Sequence, residues 1–300
     1  MNSIPNQRRS PYYSEEHEVF RASIRRFVER EIEPYITEWD EAGEFPREIY
    51  KKAGEVGLLQ ICYPEEYGGV DCDRFFTIVA YQELCRCGSG GLTAGLSSHT
   101  IGTPHIAQFG SDELKARVLP GVLSGEMISA LAVTEPSGGS DVARLRTTAR
   151  RDGDEYVING QKTFITSGMR ADFVAVAVRT GGEGLGGISL ILVEGDAPGF
   201  SRTLLKKMGW WCSDTATLYF DDCRVPAANL IGEENQGFKQ IMHNFNYERL
   251  MLATQALAFA QVCLDEAIAY GRERHTFGKP LVENQVIRHK LVDMAMRINA

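Results

Sequence analysis

The sequence predicts an α+β multidomain chain: an N-terminal helical domain over 1–125, a middle antiparallel β-barrel or β-sandwich domain over 126–236, and a C-terminal helical bundle domain over 237–300. Three observations predict this order. Apolar residues recur at helical spacing in the first part, as at Phe20, Ile24, Phe27, Val28 and Ile32. From Ile128 the chain breaks into short β-prone runs, with the turn signals Asp152-Gly153 and Asn159-Gly160 between them. After Gly237 the helical period returns and runs to Ala300 with no Gly or Pro to end it, as though a helical domain were cut short and incomplete.

The elements follow in order. Ser14 is placed as the N-cap of a helix that runs to about Ile32, with Pro34 as its stop. A second helix runs from Arg47 towards Val56, and Pro64 to Gly69 reads as a loop. Asp73 to Arg86, Thr93 to Gln108 (broken near Pro104) and Asp112 to Leu119 are the next helices. The strands are Ile128 to Thr134, Leu145 to Arg151, Tyr156 to Ile158, Thr163 to Thr166, Phe173 to Val178 and Ser189 to Val193. Thr217 to Phe220 and the segment near Val225 close the block. Phe238 to Asn244 leads into a long helix from Tyr247 to Glu273, and a loop around Phe277 to Pro280 precedes a last helix from Glu283.

Composition bounds the function. A length of 300 residues exceeds what one compact core usually takes, which predicts two or three domains. A net charge of −8 argues against nucleic acid or an anionic membrane as a partner. The seven cysteines are odd in number, irregular in spacing and without a C-x-x-C pair, which predicts free thiols in a reducing compartment and no metal site. Met1 to Ser10 lacks an apolar signal core. The longest apolar stretch, Leu250 to Leu264, is interrupted by Thr254, Gln255 and Gln261 and is too short for a bilayer. A soluble, cytoplasmic protein is expected.

One motif is set aside. Gly182 to Gly187 matches G-x-G-x-x-G, but a dinucleotide fingerprint needs a helix next, whose N-terminus holds the pyrophosphate. Ile188 to Val193 reads as a strand, so the glycines are assigned to a hairpin loop.

Four other segments can carry chemistry. Leu131 to Asp141 runs a strand into a loop of small and hydroxyl residues, which can approach a flat ring or phosphates closely; it is equally an ordinary turn. Asn159 to Gly168 sets Phe164 and Thr166 on one face of a strand and Ile165 on the other. That suits a heteroaromatic cofactor, or simply a core. Glu248 beside Arg249 is either a solvated pair or, in an apolar cleft, a carboxylate of raised pKa fit for general-base work. Arg274 to Lys279 with Gln285 offers donors for a pyrophosphate, or a helix connector.

In this order and spacing the segments resemble the acyl-CoA dehydrogenase family along nearly the whole chain. Val133 to Asp141 resembles its V-T-E-P-x-x-G-S-D signature, Lys162 to Gly168 its K-x-x-I-T-x-G strand, and Arg274 to Gln285 its R-x-x-F-G-x-x-x-x-x-x-Q loop, with Cys223-Arg224-Val225-Pro226 between them. The resemblance implies FAD as cofactor. It implies that Val133, Thr134, Ser140, Phe164, Ile165 and Thr166 lie beside flavin or substrate, and that Arg274, Phe277 and Gln285 reach the FAD of a neighbouring subunit in a homo-oligomer, commonly a tetramer. Ser140, Asn246 and Arg249 match positions near the bound acyl-CoA. Two residues depart from the pattern: Phe164 stands where many members carry Trp, losing an indole donor, and Asn246 where many carry Asp.

Members place the catalytic glutamate either in a downstream segment that this chain does not contain or on the helix that begins here at Asn246. Glu248 matches the second position, the one used by isovaleryl- and long-chain acyl-CoA dehydrogenases. The resemblance then implies proton abstraction by Glu248, hydride transfer from the β carbon to flavin N5, and electron-transferring flavoprotein as acceptor. Competing readings are an acyl-CoA oxidase-like or monooxygenase member of the superfamily, and a non-catalytic binding or assembly protein.

Overall fold

The computed structural model describes residues 11–300, so the reading of Met1 to Ser10 lies outside the described residues. Helix α1 (Glu15–Phe27) begins at the expected cap. The Ser14 hydroxyl accepts from the His17 backbone N–H, and the His17 ring accepts from the Ser14 N–H, so two end donors are satisfied reciprocally. A π turn, Val28–Ile32, extends it towards Pro34. Helices α2 (Ile36–Ala42), α3 (Glu48–Glu55), α4 (Arg74–Leu84), α5 (Gly90–Leu96), α6 (His99–Gly102), α7 (Pro104–Phe109) and α8 (Asp112–Leu123) follow. The α2 helix was not anticipated: it buries only Trp39, so it has no apolar period to read. The break at Pro104 is present, with the proline in the first turn of α7, where its missing N–H costs nothing.

Strands β1 (Ser129–Ala132), β2 (Thr148–Asp152), β3 (Glu155–Thr166), β4 (Phe173–Arg179), β5 (Ile188–Glu194), β6 (Phe200–Leu204), β7 (Thr215–Pro226) and β8 (Leu230–Ile231) form one eight-stranded sheet. Its order is β6-β7-β3-β2-β4-β5-β8, with β1 also paired to β4. The antiparallel expectation needs correcting in two places. β1 runs parallel to β4, Ser129 opposite Phe173, and Thr148 pairs in parallel with Arg179. β1 is reached from a helix and left through a loop, so no tight hairpin imposes an antiparallel partner on it.

Two predicted strands are one. β3 runs through Asn159-Gly160, where the register slips and Gly160 takes φ +145. A Cβ on Gly160 would meet Thr147 Oγ1 at 2.6 Å, so this glycine admits a close neighbour at a bulge and does not reverse the chain. Asp152-Gly153 is the true hairpin turn, with Gly153 at φ +63. β7 likewise unites the two closing strands, and β6, on the sheet edge, was not foreseen.

β4 and β5 are buried on both faces, which explains their unbroken apolar runs. On one side Val174, Val176, Ile191 and Val193 meet Tyr156, Ile165 and Leu218. On the other, Phe173, Ala175, Leu190 and Leu192 meet Ile106, Leu119 and Ile241 from the helices. The Gly182 to Gly187 loop passes through a short 3-10 turn into β5, so no helix follows it.

Helix α9 (Gly237–Glu273) is a single 37-residue helix. It packs on α4, α7 and β5, and on α10 (Gln285–Asn299), to which it is joined through a short hairpin of β9 (His275–Thr276) and β10 (Lys279–Pro280). By length and composition alone α9 would suffice to cross a membrane, being longer than the apolar stretch singled out in the sequence. It is only partly covered here, with 22% of its most apolar stretch buried.

Candidate active site

Glu248 lies on α9 where that helix faces α4 and α6. The side chain of Asn244, one turn earlier, is 5% exposed and donates from Nδ2 to Glu248 Oε1 at 2.5 Å. The same amide leans on the Thr100 carbonyl of α6 at 3.5 Å. Tyr81 of α4 donates to or accepts from Thr100 Oγ1 at 3.2 Å, and its phenol feels the Glu248 charge. Burial pushes the Glu248 carboxyl up to about 7, against the lowering effects of the Asn244 donor and the Arg249 charge. The solvated-pair alternative for Glu248 is therefore not what the structure shows: this is a carboxyl near neutrality in a partly dry seam.

Helix α6 ties that seam to the sheet. A Cβ on Gly102 would stand 2.9 Å from the Ala130 carbonyl carbon and oxygen, so α6 sits directly on β1. Thr103 and Ser129 share a hydrogen bond at 2.8 Å. β1 then leads into the loop that begins at Val133.

The first two sequence segments are brought side by side. The Thr163 N–H donates to the Thr134 carbonyl at 2.9 Å, and Lys162 Nζ donates to the Val133 carbonyl at 3.0 Å. Lys162, with no exposed surface, also pairs with Glu135 Oε1 at 3.0 Å. Glu135 takes the backbone N–H groups of Arg146 and Thr147, each at 2.8 Å. Burial raises the Glu135 carboxyl, but Lys162 and these donors outweigh it and hold it below the usual range. Burial draws Lys162 down to about 8 against the pull of Glu135. This buried pair anchors the loop and strand to each other. Both residues stood inside the segments singled out by sequence, but nothing local marked them as partners.

Phe164 is 68% exposed and adopts φ +62, a left-handed backbone uncommon for a bulky residue. Thr134 and Thr166 are half-buried beside it, and Ser140 is exposed at the far end of the loop. Ile165, named with them, is 3% exposed and packs with Ala216 and Leu218 in the sheet core, so only its backbone is open to a ligand. A cleft of about 120 Å³ lies under the loop, lined by Val133, Gly138, Gly139, Val142 and Arg144 among others. It includes no residue of α9.

Asn246 and Arg249 are exposed and bond to each other at 3.2 Å. At about 100° per residue, Asn246 points away from the face that carries Glu248. Arg274, Phe277 and Gln285 are exposed too, Phe277 fully so and at φ +50. At about 1.5 Å per residue, Arg274 lies about 39 Å along the axis from Glu248. One copy of the chain therefore gathers Val133, Thr134, Phe164 and Thr166 on the sheet, and Glu248 on the helix seam, while the last three residues face outward elsewhere. Sequence reasoning missed Asn244, Tyr81 and Thr100; only Asn244 had a readable signal, its i−4 spacing from Glu248.

The sheet residues fit a flat heteroaromatic ring, with an outward phenyl and neighbouring hydroxyls, and the adjoining cleft adds the exposed charges of Asp141, Arg144 and Arg146. Gly138 fits close backbone approach by a ligand, since a Cβ there would meet nothing within 4 Å, whereas Gly139 sits against Thr134. The cleft alone is smaller than the roughly 300–1,000 Å³ of usual ligand sites, so a dinucleotide would extend over the open surface around it. Among the described residues, no group of three or more His, Cys, Asp or Glu could hold a metal ion.

Three family models match the chain in succession: the N-terminal domain of acyl-CoA dehydrogenase at 14–126, the middle domain at 130–223 and the C-terminal domain at 235–300. The chain is 40% identical over 291 residues to the mitochondrial long-chain specific acyl-CoA dehydrogenase of Rattus norvegicus, covering 95% of this chain and 67% of that one. A crystal structure described as a probable acyl-CoA dehydrogenase from Mycobacterium abscessus superposes with a TM-score of 0.93 at 52% identity, over 95% of this chain and 77% of that chain. A glutaryl-CoA dehydrogenase from Mycobacterium smegmatis, solved in complex with FADH2, gives a TM-score of 0.89 at 30% identity, over 95% and 73%.

Proposed function

The chain belongs to the acyl-CoA dehydrogenase family of oxidoreductases, and from that premise we propose that it converts an acyl-CoA thioester to the trans-2-enoyl-CoA with Glu248 as the base. The observation that carries this reading is the placement of Glu248: a carboxyl raised to about 7, with one oxygen held by Asn244. The α-hydrogen of a thioester is only weakly acidic, so its removal needs a base of matched strength held in a fixed position. Asn244 orients Oε1, and Oε2 is left to take the α-proton. Burial of the carboxyl where α9 packs on α4 and α6 keeps the carboxylate basic.

FAD, when bound, supplies the oxidant that accepts the hydride leaving the β carbon. The residues that would hold it are Val133, Thr134, Ser140, Phe164 and Thr166, with the backbone of Ile165. Arg274, Phe277 and Gln285 would serve the cofactor of a neighbouring subunit; their exposure, complete at Phe277, and the distance of Arg274 from Glu248 support a homo-oligomer, a tetramer in this reading. Arg249, exposed next to the base in the chain, and Asn246, exposed on the opposite side of α9, would meet the acyl-CoA outside the reacting carbons. Electron-transferring flavoprotein is the acceptor proposed for the two electrons.

The test is the visible spectrum of the FAD-loaded protein without oxygen, before and after adding acyl-CoAs of different length and branching. Bleaching by one class is the expected result and names the substrate. A flavin spectrum that no acyl-CoA bleaches refutes the dehydrogenation. Protein that takes up no FAD refutes the cofactor and favours the binding-protein alternative. Oxygen consumption with the bleaching substrate would favour the oxidase alternative.

A further inference from the structure

The turn that enters α4 holds two thiols outside the site above. Cys62 takes φ +63, in the left-handed region where non-glycine residues are uncommon. Its N–H donates to the Val70 carbonyl at 2.9 Å, and the Val70 N–H donates to the Gln60 carbonyl at 2.9 Å. These bonds draw the two ends of the 62–72 segment together and leave Cys62 Sγ 3.7 Å from Cys72 Sγ. Both side chains are part-buried, whereas Cys85, Cys87, Cys212 and Cys223 are buried and Cys263 is exposed.

The surroundings favour reaction at Cys62. The Cys72 thiol holds the Cys62 thiol below its ordinary value; burial opposes this, while the Thr77 hydroxyl at 3.6 Å and the Arg74 guanidinium reinforce it over the contrary charge of Asp73. The thiolate is the attacking form of cysteine. A disulfide needs its sulfurs about 2.05 Å apart, so the pair must close by about 1.7 Å, within reach of side-chain rotation in an exposed turn.

We infer that Cys62 and Cys72 form a reversible dithiol–disulfide site through which hydrogen peroxide oxidises this chain. The Cys62 thiolate attacks one peroxide oxygen; the O–O bond breaks, hydroxide leaves, and Cys62 carries S–OH. The Cys72 sulfur then displaces that hydroxyl, forming the S–S bond, and the hydroxyl departs as water with the Cys72 proton. Two thiols and one peroxide become one disulfide and two waters, the sulfurs losing the two electrons that the peroxide gains. Cys72 adjoins Asp73, the N-cap of the helix that presents Tyr81 to the Glu248 seam, so the bond forms at the root of an element of the active site.

The experiment uses the folded full chain, hydrogen peroxide, alkylation with iodoacetamide and tryptic mass mapping. Ala53 to Arg74 is one tryptic peptide that contains Cys62 and Cys72 and no other cysteine. The expected result is that this peptide escapes alkylation and weighs two hydrogens less, at a peroxide exposure that leaves Cys263 alkylated, and that dithiothreitol restores two alkyl groups. In Cys72→Ser the resolving thiol is gone, and dimedone should trap the Cys62 sulfenic acid. Two alkyl groups on the wild-type peptide at an exposure that already oxidises Cys263 would overturn the inference. So would a disulfide that forms only after denaturant is added. The wild-type result decides the matter even if the serine variant fails to fold.

Discussion

Replacing Glu248 with Gln removes the charge and keeps an oxygen for Asn244 to donate to. In the native chain, burial lifts the carboxyl from 4.5 to about 7. The folded state therefore binds this proton more tightly than the unfolded state, and between pH 4.5 and 7 it carries more of it. Stability must fall as pH rises through that window and level off above it. At about 1.4 kcal/mol per tenfold, the gap corresponds to about 3 kcal/mol of destabilisation at pH 8. Gln carries no such penalty, so Glu248→Gln is expected to be more stable than the native protein at pH 8 by up to about 3 kcal/mol, and to converge with it near pH 4.5. Urea midpoints measured across pH 5 to 8 read this directly. The same variant should keep bound flavin and lose about 10²–10⁴-fold in turnover, the usual contribution of a general base. Equal urea midpoints at pH 8 would refute the buried, raised carboxyl. Normal turnover in the flavin-loaded variant would refute its role as base.

Three further outcomes follow from the same geometry. Asn244→Leu removes a donor that lowers the Glu248 pKa, so the acid limb of the kcat/KM profile should move to higher pH; an unmoved limb would detach Asn244 from the base. Lys162→Met leaves Glu135 buried without its cation and should cost about 3–5 kcal/mol in denaturant unfolding, with part recovered by adding Glu135→Gln. A loss below about 1 kcal/mol would show that the pair does not hold the loop. Phe164→Gly sheds an exposed ring and relieves a left-handed backbone, so the unfolding midpoint should stay within about 1 kcal/mol while affinity for added FAD falls. Undiminished FAD affinity would remove Phe164 from the cofactor surface.

The order of helical, β and helical segments, the Ser14 cap, the Asp152-Gly153 turn and the four motifs were all legible in the sequence. Each rests on chemistry within a few residues: a period, a cap, a left-handed turn, a spacing. What lay beyond reach depends on contacts made across the chain. Asn159-Gly160 carries the same local turn chemistry as Asp152-Gly153, but the close approach of Thr147 makes it a bulge. β1 pairs in parallel with β4 because of where the helices deliver it, which no local pattern encodes. Glu248 reads equally well as a surface charge until Asn244 reaches Thr100, 144 residues away in sequence, and Tyr81 closes the seam. The sequence by itself determined which residues were available for chemistry. Only the tertiary structure decided how dry each of them is, and burial sets the pKa that makes a carboxylate a base.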